Sequence, residues 1–225
     1  MTRLHSAPVL GASLSRPLLL GLAGPAGCGK TTAATLMCGR AGWVRLSFAD
    51  PLRSLLLALH PSWDLWHLGP GKDLTPSDGG LSPREMMRAC GDWAKALHPT
   101  FFVDIAHQAI QDHRRLGRHV IVDDVRFEGE ADLLRGLGGH VVHVSRTDVT
   151  FRRDHNSELG IEPAPGDLHL RNWGGIAALH DELQHVLNAA IIQDRSLAED
   201  APGLTAPPFP PPSRSDHPAA PRSPS

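Results

Sequence analysis

The 225 residues are 41% hydrophobic, enough for one sizeable core, whereas two full domains would leave each half small. A formal charge of -2, from 22 basic and 24 acidic residues, removes any global drive toward nucleic acid or an acidic membrane, so polyanion binding would have to be local. Cys28, Cys38 and Cys90 form an odd set without CxxC pairing, which argues against a disulfide framework or a zinc ribbon and fits a reducing, cytoplasmic compartment.

In chain order, residues 1–16 lack periodicity and read as a disordered tail. The apolar run at 17–23 is too short to cross a bilayer. Cleavage of a signal peptide near Ala23 or Ala26 would cut through the best motif in the chain, so that reading is rejected. Strands are expected at 18–23, 44–48, 119–125, 140–144 and 168–170. Helices are expected at 30–39, 51–59, 82–97, 101–116, 128–137 and 176–192. This alternation predicts an α/β fold with a mostly parallel, five-stranded sheet covered by helices on both faces. A single folded domain at 17–193 would then be followed by a Pro-rich disordered tail at 194–225. Ligands of such sheets gather beyond the carboxyl ends of the strands, which is where candidate residues are sought.

The first strand runs into Gly24-Pro25-Ala26-Gly27-Cys28-Gly29-Lys30-Thr31, a complete GxxxxGKT motif between strand and helix. Its glycines let amide groups turn inward around phosphate, and the following helix adds free N–H groups and its positive dipole end. Gly24, Ala26, Gly27, Cys28, Gly29, Lys30, Thr31 and Thr32 are therefore the expected nucleotide-binding set for ATP. In it Lys30 serves the terminal phosphates and the Thr31 hydroxyl serves Mg²⁺. Cys28 reads as a small loop filler rather than a redox switch. With no NKxD segment and no added mechanical domains, a small kinase is favoured over a GTPase switch or motor.

After the second strand, Asp50 precedes a Pro-started helix, as an N-cap, as an acceptor-side base or sugar ligand, or as both. Ser82-Pro83 opens a helix on which Arg84 and Arg88 lie one turn apart, able to hold an acceptor monophosphate or simply to form a solvated basic face. At the end of the third strand, alternation turns Asp124 and Arg126 to one side and Asp123 to the other. Asp124 is expected to join Thr31 at Mg²⁺ and Arg126 to meet phosphate charge, unless the two form a structural ion pair. Beyond the fourth strand, Arg146 and a polar stretch with Arg152, Arg153, His155, Ser157 and Glu158 suit a lid at about 147–165, or else a surface connection.

Together these segments resemble the deoxynucleoside monophosphate kinase family of tailed bacteriophages. The resemblance runs through Gly24 to Thr31, Phe48-Ala49-Asp50-Pro51-Leu52, Pro83-Arg84-Glu85 with Gly91, Asp124-Val125-Arg126-Phe127 with Glu130-Ala131, Gly138-Gly139, and His155-x-Ser157-Glu158. It implies ATP- and Mg²⁺-dependent conversion of a dNMP to the diphosphate on an adenylate-kinase-like core. Lys30, Asp50, Arg126 and Arg146 would then be catalytic, with Asp50, Arg84 and Arg88 on the acceptor side. Arg88 and Asp92 depart from the Gln and Thr expected of the family. The expected partner is a small nucleotide, with no nucleic acid polymer and no membrane, and a homodimer is compatible with the sequence. Alternatives are another small-metabolite kinase, such as one for dephospho-coenzyme A, or a non-catalytic nucleotide-binding regulator.

Overall fold

The computed structural model describes residues 16–74, 80–147 and 160–199. Five strands, β1 (Leu19–Ala23), β2 (Trp43–Leu46), β3 (His119–Val125), β4 (His140–Ser145) and β5 (Leu168–Arg171), form one sheet in the order β2-β3-β1-β4-β5, every pair parallel. The fold class expected from the sequence is the one observed. The phosphate motif leaves the central strand, where the chain's crossovers diverge to either side.

Alternation along β1 divides the core into two layers. Leu18, Leu20 and Leu22 pack on α1 (Lys30–Cys38) and α6 (Ile176–Glu199), with Ala33, Met37, Leu183 and Leu187. Leu19 and Ala23 face α3 (Pro83–Leu97), α4 (Phe101–Arg115) and α5 (Glu128–Gly136), with Ala94, Phe102, Ile110 and Leu134. Burial on both faces is why the central strand β1 reads as a continuous apolar run. At Gly21 a Cβ would sit 2.2 Å from Leu134 Cδ1, so the missing side chain is what lets α5 approach the sheet.

Some boundaries differ from expectation. β2 stops at Leu46 because Ser47 and Phe48 leave the ladder to bond Asp124. Helix α2 (Asp50–Leu59) has Ala49 at its N-cap with no side-chain cap, so Asp50 is not the cap but the first helical residue. Helix α3 does begin with a reciprocal capping box between Ser82 and Glu85, with Pro83 in the first turn. Helix α6 continues past the expected end at 192 to Glu199. Within it Asp194 is buried and bonds both His140 (3.0 Å) and Arg16 (3.3 Å), tying both ends of the described chain to the packed body. Residues 60–74 fold as consecutive turns, with His60, Trp63 and His67 stacked ring on ring. Both expected tails, apart from residues 16 and 194–199, and the lid residues Arg152, Arg153, His155, Ser157 and Glu158 lie outside the described residues. No helix among the described residues is long and apolar enough to cross a membrane.

Candidate active site

The phosphate loop is shaped by three left-handed glycines, Gly24, Gly27 and Gly29. Gly29 has φ +106°, and a Cβ there would lie 2.4 Å from Asn172 Nδ2. Asn172, buried just after β5, donates from that nitrogen to the Cys28 carbonyl at 2.9 Å and so anchors the loop to the sheet edge. Cys28 is wholly buried, as a loop filler would be. Lys30 Nζ donates to the carbonyls of Gly24 (2.6 Å) and Pro25 (2.8 Å), which holds the ammonium across the loop mouth. Thr31 and Thr32 are exposed at the start of α1.

The two acids at the end of β3 divide their work, and not as the sequence suggested. The Thr31 hydroxyl donates to Asp123 Oδ2 at 3.1 Å, so Asp123, not Asp124, is the acid beside the phosphate loop. The inference that the two acids face opposite ways holds. Which face α1 covers could not be read from alternation alone. Asp123 also pairs with Arg45 of β2 at 2.9 Å, and burial, then the charge of Asp124, pushes its carboxyl above the ordinary range. Its Oδ1 is buried without a hydrogen-bond partner among the described residues. A hydroxyl and a carboxylate with one unused oxygen fit the water shell of a Mg²⁺ ion.

Asp124 instead organises the turn between β2 and α2. Its Oδ1 accepts from Phe48 N (2.8 Å), and its Oδ2 accepts from Ala49 N (3.1 Å) and from the Ser47 hydroxyl. Arg53 donates to that same Ser47 oxygen and to Asp50 Oδ1, each at 2.7 Å. Asp50 also accepts from Ser47 N at 2.9 Å.

Beside this turn opens a cleft of roughly 840 Å³, its mouth included. One face of α3 forms a wall through Arg84, Met87, Arg88, Gly91, Asp92 and Lys95, the spacing of a single helical stripe. Arg126, expected after β3, joins Arg84 and Arg88 there, whereas Asp50 and Arg146 are not among the lining residues. Asp50 reaches the cleft through Arg53, and Arg146 is exposed beyond β4. Arg53, Lys72, Lys95 and Glu130 also line it, unforeseen from sequence. Lys72 belongs to the aperiodic turns at 60–74 and carried no signal. Lys95 could have been found, because it continues the Arg84 and Arg88 stripe at i+11 and i+7.

Cations outnumber acids in the lining six to three, the acids being Asp92, Asp124 and Glu130. Burial, then the charges of Arg84 and Arg126, holds the Lys72 ammonium below its ordinary value. Glu130 is buried, and burial pushes its carboxyl up to about 7. It accepts from the backbone N–H of Arg126 (2.8 Å) and Phe127 (3.2 Å) and so fixes the turn that presents the Arg126 side chain. Lys95 Nζ sits 3.2 Å from the centroid of the Phe127 ring. Phe48, Phe102 and Leu68 complete the apolar lining.

Residues 76–183, which contain the α3 wall, β3 and α5, match the family model described as deoxynucleotide monophosphate kinase. A protein of Acanthamoeba polyphaga mimivirus, provisionally named a deoxynucleotide monophosphate kinase, is 32% identical over 156 residues, covering 63% of this chain and 81% of its own. The deoxynucleotide monophosphate kinase of Enterobacteria phage T4 is 32% identical over 69 residues, 31% of this chain and 29% of its own. Among solved structures, an APS kinase of Mycobacterium tuberculosis superposes with a TM-score of 0.40 at 18% identity, over 77% of this chain and 96% of that one. The phosphate loop leaves the central strand of a parallel sheet, and the extent of the chain's likeness to the mimivirus protein places it in the deoxynucleotide monophosphate kinase family, as a P-loop kinase for a small, nucleotide-like substrate.

Proposed function

We propose that the protein transfers the terminal phosphate of ATP to a deoxynucleoside monophosphate, forming the diphosphate. The observation that carries this reading is the composition of the cleft next to the phosphate loop. A cluster of guanidinium and ammonium groups for an anion is continuous with an apolar, aromatic-lined region for a base. Burial and the charges of Arg84, Arg126 and Arg53 disfavour the Lys72 ammonium, which Asp73 alone favours, and an acceptor phosphate would add to that support.

In this reading the amides of residues 24–32 and Lys30 hold the donor phosphates. Thr31 and Asp123 hold the water shell of Mg²⁺, which when bound neutralises phosphate charge. Arg84 and Arg88 hold the acceptor phosphate, while Arg126, fixed by Glu130, faces the phosphoryl group in transit. Asp50 positions Arg53 rather than touching the acceptor. Transfer then depends on alignment and charge stabilisation, with no covalent intermediate on the protein.

The test is acceptor-dependent ADP release from ATP and Mg²⁺ across a panel of deoxynucleoside and ribonucleoside monophosphates and dephospho-coenzyme A. Turnover with the deoxynucleotides supports the reading. Turnover with dephospho-coenzyme A alone, or tight ATP binding without acceptor-dependent release, overturns it.

A further inference from the structure

Helix α3 carries its charges and its exposed apolar side chains on opposite sides. At ~100° per residue, Arg84, Glu85, Arg88, Asp92 and Lys95 fall within about 100° of its circumference, and all but Glu85 line the cleft. Pro83, Gly91 and Ala94 are buried against the body. A third arc, about 120° wide, holds Met86, Ala89, Cys90, Trp93, Ala96 and Leu97, every one exposed or half-buried and none of them charged. A surface helix ordinarily turns its charged side to water. In α3 the charges turn into the cleft and the apolar arc turns outward.

Trp93 and Leu97 are 62% and 68% exposed, and the arc as a whole presents roughly 400 Å² of apolar surface, a size at which a patch on a soluble protein marks an interaction site. Two such arcs laid together would remove about 800 Å² from water, against roughly 1,200 Å² at which specific dimers begin. Phe101 and Ile105 of α4, exposed just past the turn that follows α3, can supply the remainder.

The spacing within the arc identifies its occupant. Met86, Cys90, Trp93 and Leu97 follow one another at four, three and four residues, the interval at which one helix packs along another. A two-fold axis passing between residues 91 and 92 sets this stripe against its own copy in matched pairs. Met86 then opposes Leu97, and the small Cys90 opposes the large Trp93. Ala89 and Ala96 beside the stripe let the two backbones approach closely.

We propose that this face of α3 is a self-complementary dimer interface, in which the helices of two copies pack antiparallel about a two-fold axis. The homodimer compatible with the sequence thereby acquires a definite surface. The charged arc lies on the other side of each helix, so the cleft of each copy stays open.

The experiment is sedimentation velocity of the full chain over a range of concentrations. Wild-type protein should show the mass of two chains, dissociating on dilution. Trp93→Glu and Leu97→Lys place charges at positions already exposed in one chain, so they leave the fold intact and should weaken the dimer at least about a hundredfold. Ile192→Glu, at a position 63% exposed on α6 across the sheet, should leave it unchanged. Register is tested with Met86→Cys and Leu97→Cys chains, each also carrying Cys38→Ser and Cys90→Ser, Cys28 being wholly buried. A short bismaleimide should join them only when the two are mixed and allowed to exchange. A wild type with the mass of one chain at every concentration overturns the proposal, whether the chain's own residues 200–225 or another protein covers the face. A dimer that survives both Trp93→Glu and Leu97→Lys, or is lost equally in Ile192→Glu, overturns it too, and cross-linking of Leu97→Cys alone overturns the antiparallel pairing.

Discussion

The hydroxyl of Thr31 and the carboxylate of Asp123 meet 3.1 Å apart across the junction of α1 and β3, and one oxygen of that carboxylate is left buried without a partner among the described residues. Asp124, its neighbour in sequence, spends both oxygens on the β2–α2 turn. The two acids should therefore fail differently. Asp123→Asn is expected to raise the Mg²⁺ concentration needed for half-maximal turnover and to lower kcat at least about a hundredfold, with little change in Tm. Asp124→Asn turns an amino group toward either Phe48 N or the Ser47 hydroxyl and Ala49 N, removing an acceptor from the turn, and should cost about 1–3 kcal/mol of stability. Mg²⁺ titration of turnover and thermal unfolding of both variants check this. The reverse pattern would move the metal to Asp124.

Gly29→Ala tests the anchoring of the phosphate loop. The backbone there has φ +106°, and the new Cβ would meet Asn172 Nδ2 at 2.4 Å, displacing the group that holds the Cys28 carbonyl. Backbone strain and a lost buried hydrogen bond together should cost about 2–5 kcal/mol, part of it in ATP affinity. Calorimetric titration with ATP should show affinity at least about tenfold weaker. Unchanged affinity would mean that the loop tolerates loss of the Asn172 contact.

Glu130 carries a pH signature. Its carboxyl lies at about 7 in the folded protein against an ordinary 4.5, chiefly because of burial, so the folded state holds its proton more tightly than the unfolded chain does. Its contribution to stability is complete below pH ~4.5 and is lost as the pH rises through ~7, at most about 3 kcal/mol. Glu130→Gln keeps an oxygen for the N–H groups of Arg126 and Phe127 and removes the titration. The difference in unfolding free energy, wild type minus variant, should therefore fall between pH 4.5 and 7.5. Asp167, held at about 2 largely by Arg135, titrates below that window and cancels in the difference. A flat difference would place the Glu130 carboxyl near its ordinary value.

What the sequence disclosed follows from the physics of each element. Strands buried on both faces are apolar runs, so β3 is found at 119–125 without error, and the glycine spacing of the phosphate loop has one mechanical meaning. The stripe Arg84, Arg88 and Lys95 is legible only in its first two members, because two arginines one turn apart form a local pattern while a lysine two turns on does not. The choice between Asp123 and Asp124 needed knowledge of which helix covers which face of the sheet, a tertiary fact. Lys72 and Leu68 reach the cleft from turns without periodicity, and Asn172 reaches the phosphate loop across 144 residues. Neither arrangement leaves a local pattern in the sequence.

Arg84 gives the sharpest division between donor and acceptor. Its guanidinium forms a two-point pair with Asp73, Nη2 to Oδ2 at 3.1 Å and Nε to Oδ1, and its backbone N–H donates to the Lys72 carbonyl at 2.9 Å. The side chain thus lines the cleft and also holds the turns at 60–74 against α3. If it grips the acceptor phosphate, Arg84→Ala should raise the acceptor KM and lower kcat, since a misplaced attacking oxygen costs alignment as well as binding. The loss should be about 1.5–3 kcal/mol, roughly ten- to more than a hundredfold in kcat/KM, with ATP affinity nearly unchanged. Arg84→Lys should restore only part of it, because an ammonium lacks the planar fork. Asp73→Asn supplies the control, since it weakens the same pair but leaves the guanidinium in place. Steady-state kinetics with each substrate varied in turn, together with ATP titration, decide the matter. An acceptor KM that rises as much in Asp73→Asn as in Arg84→Ala would reduce Arg84 to a brace for the turns, and weakened ATP binding with an unaltered acceptor KM would move it to the donor side.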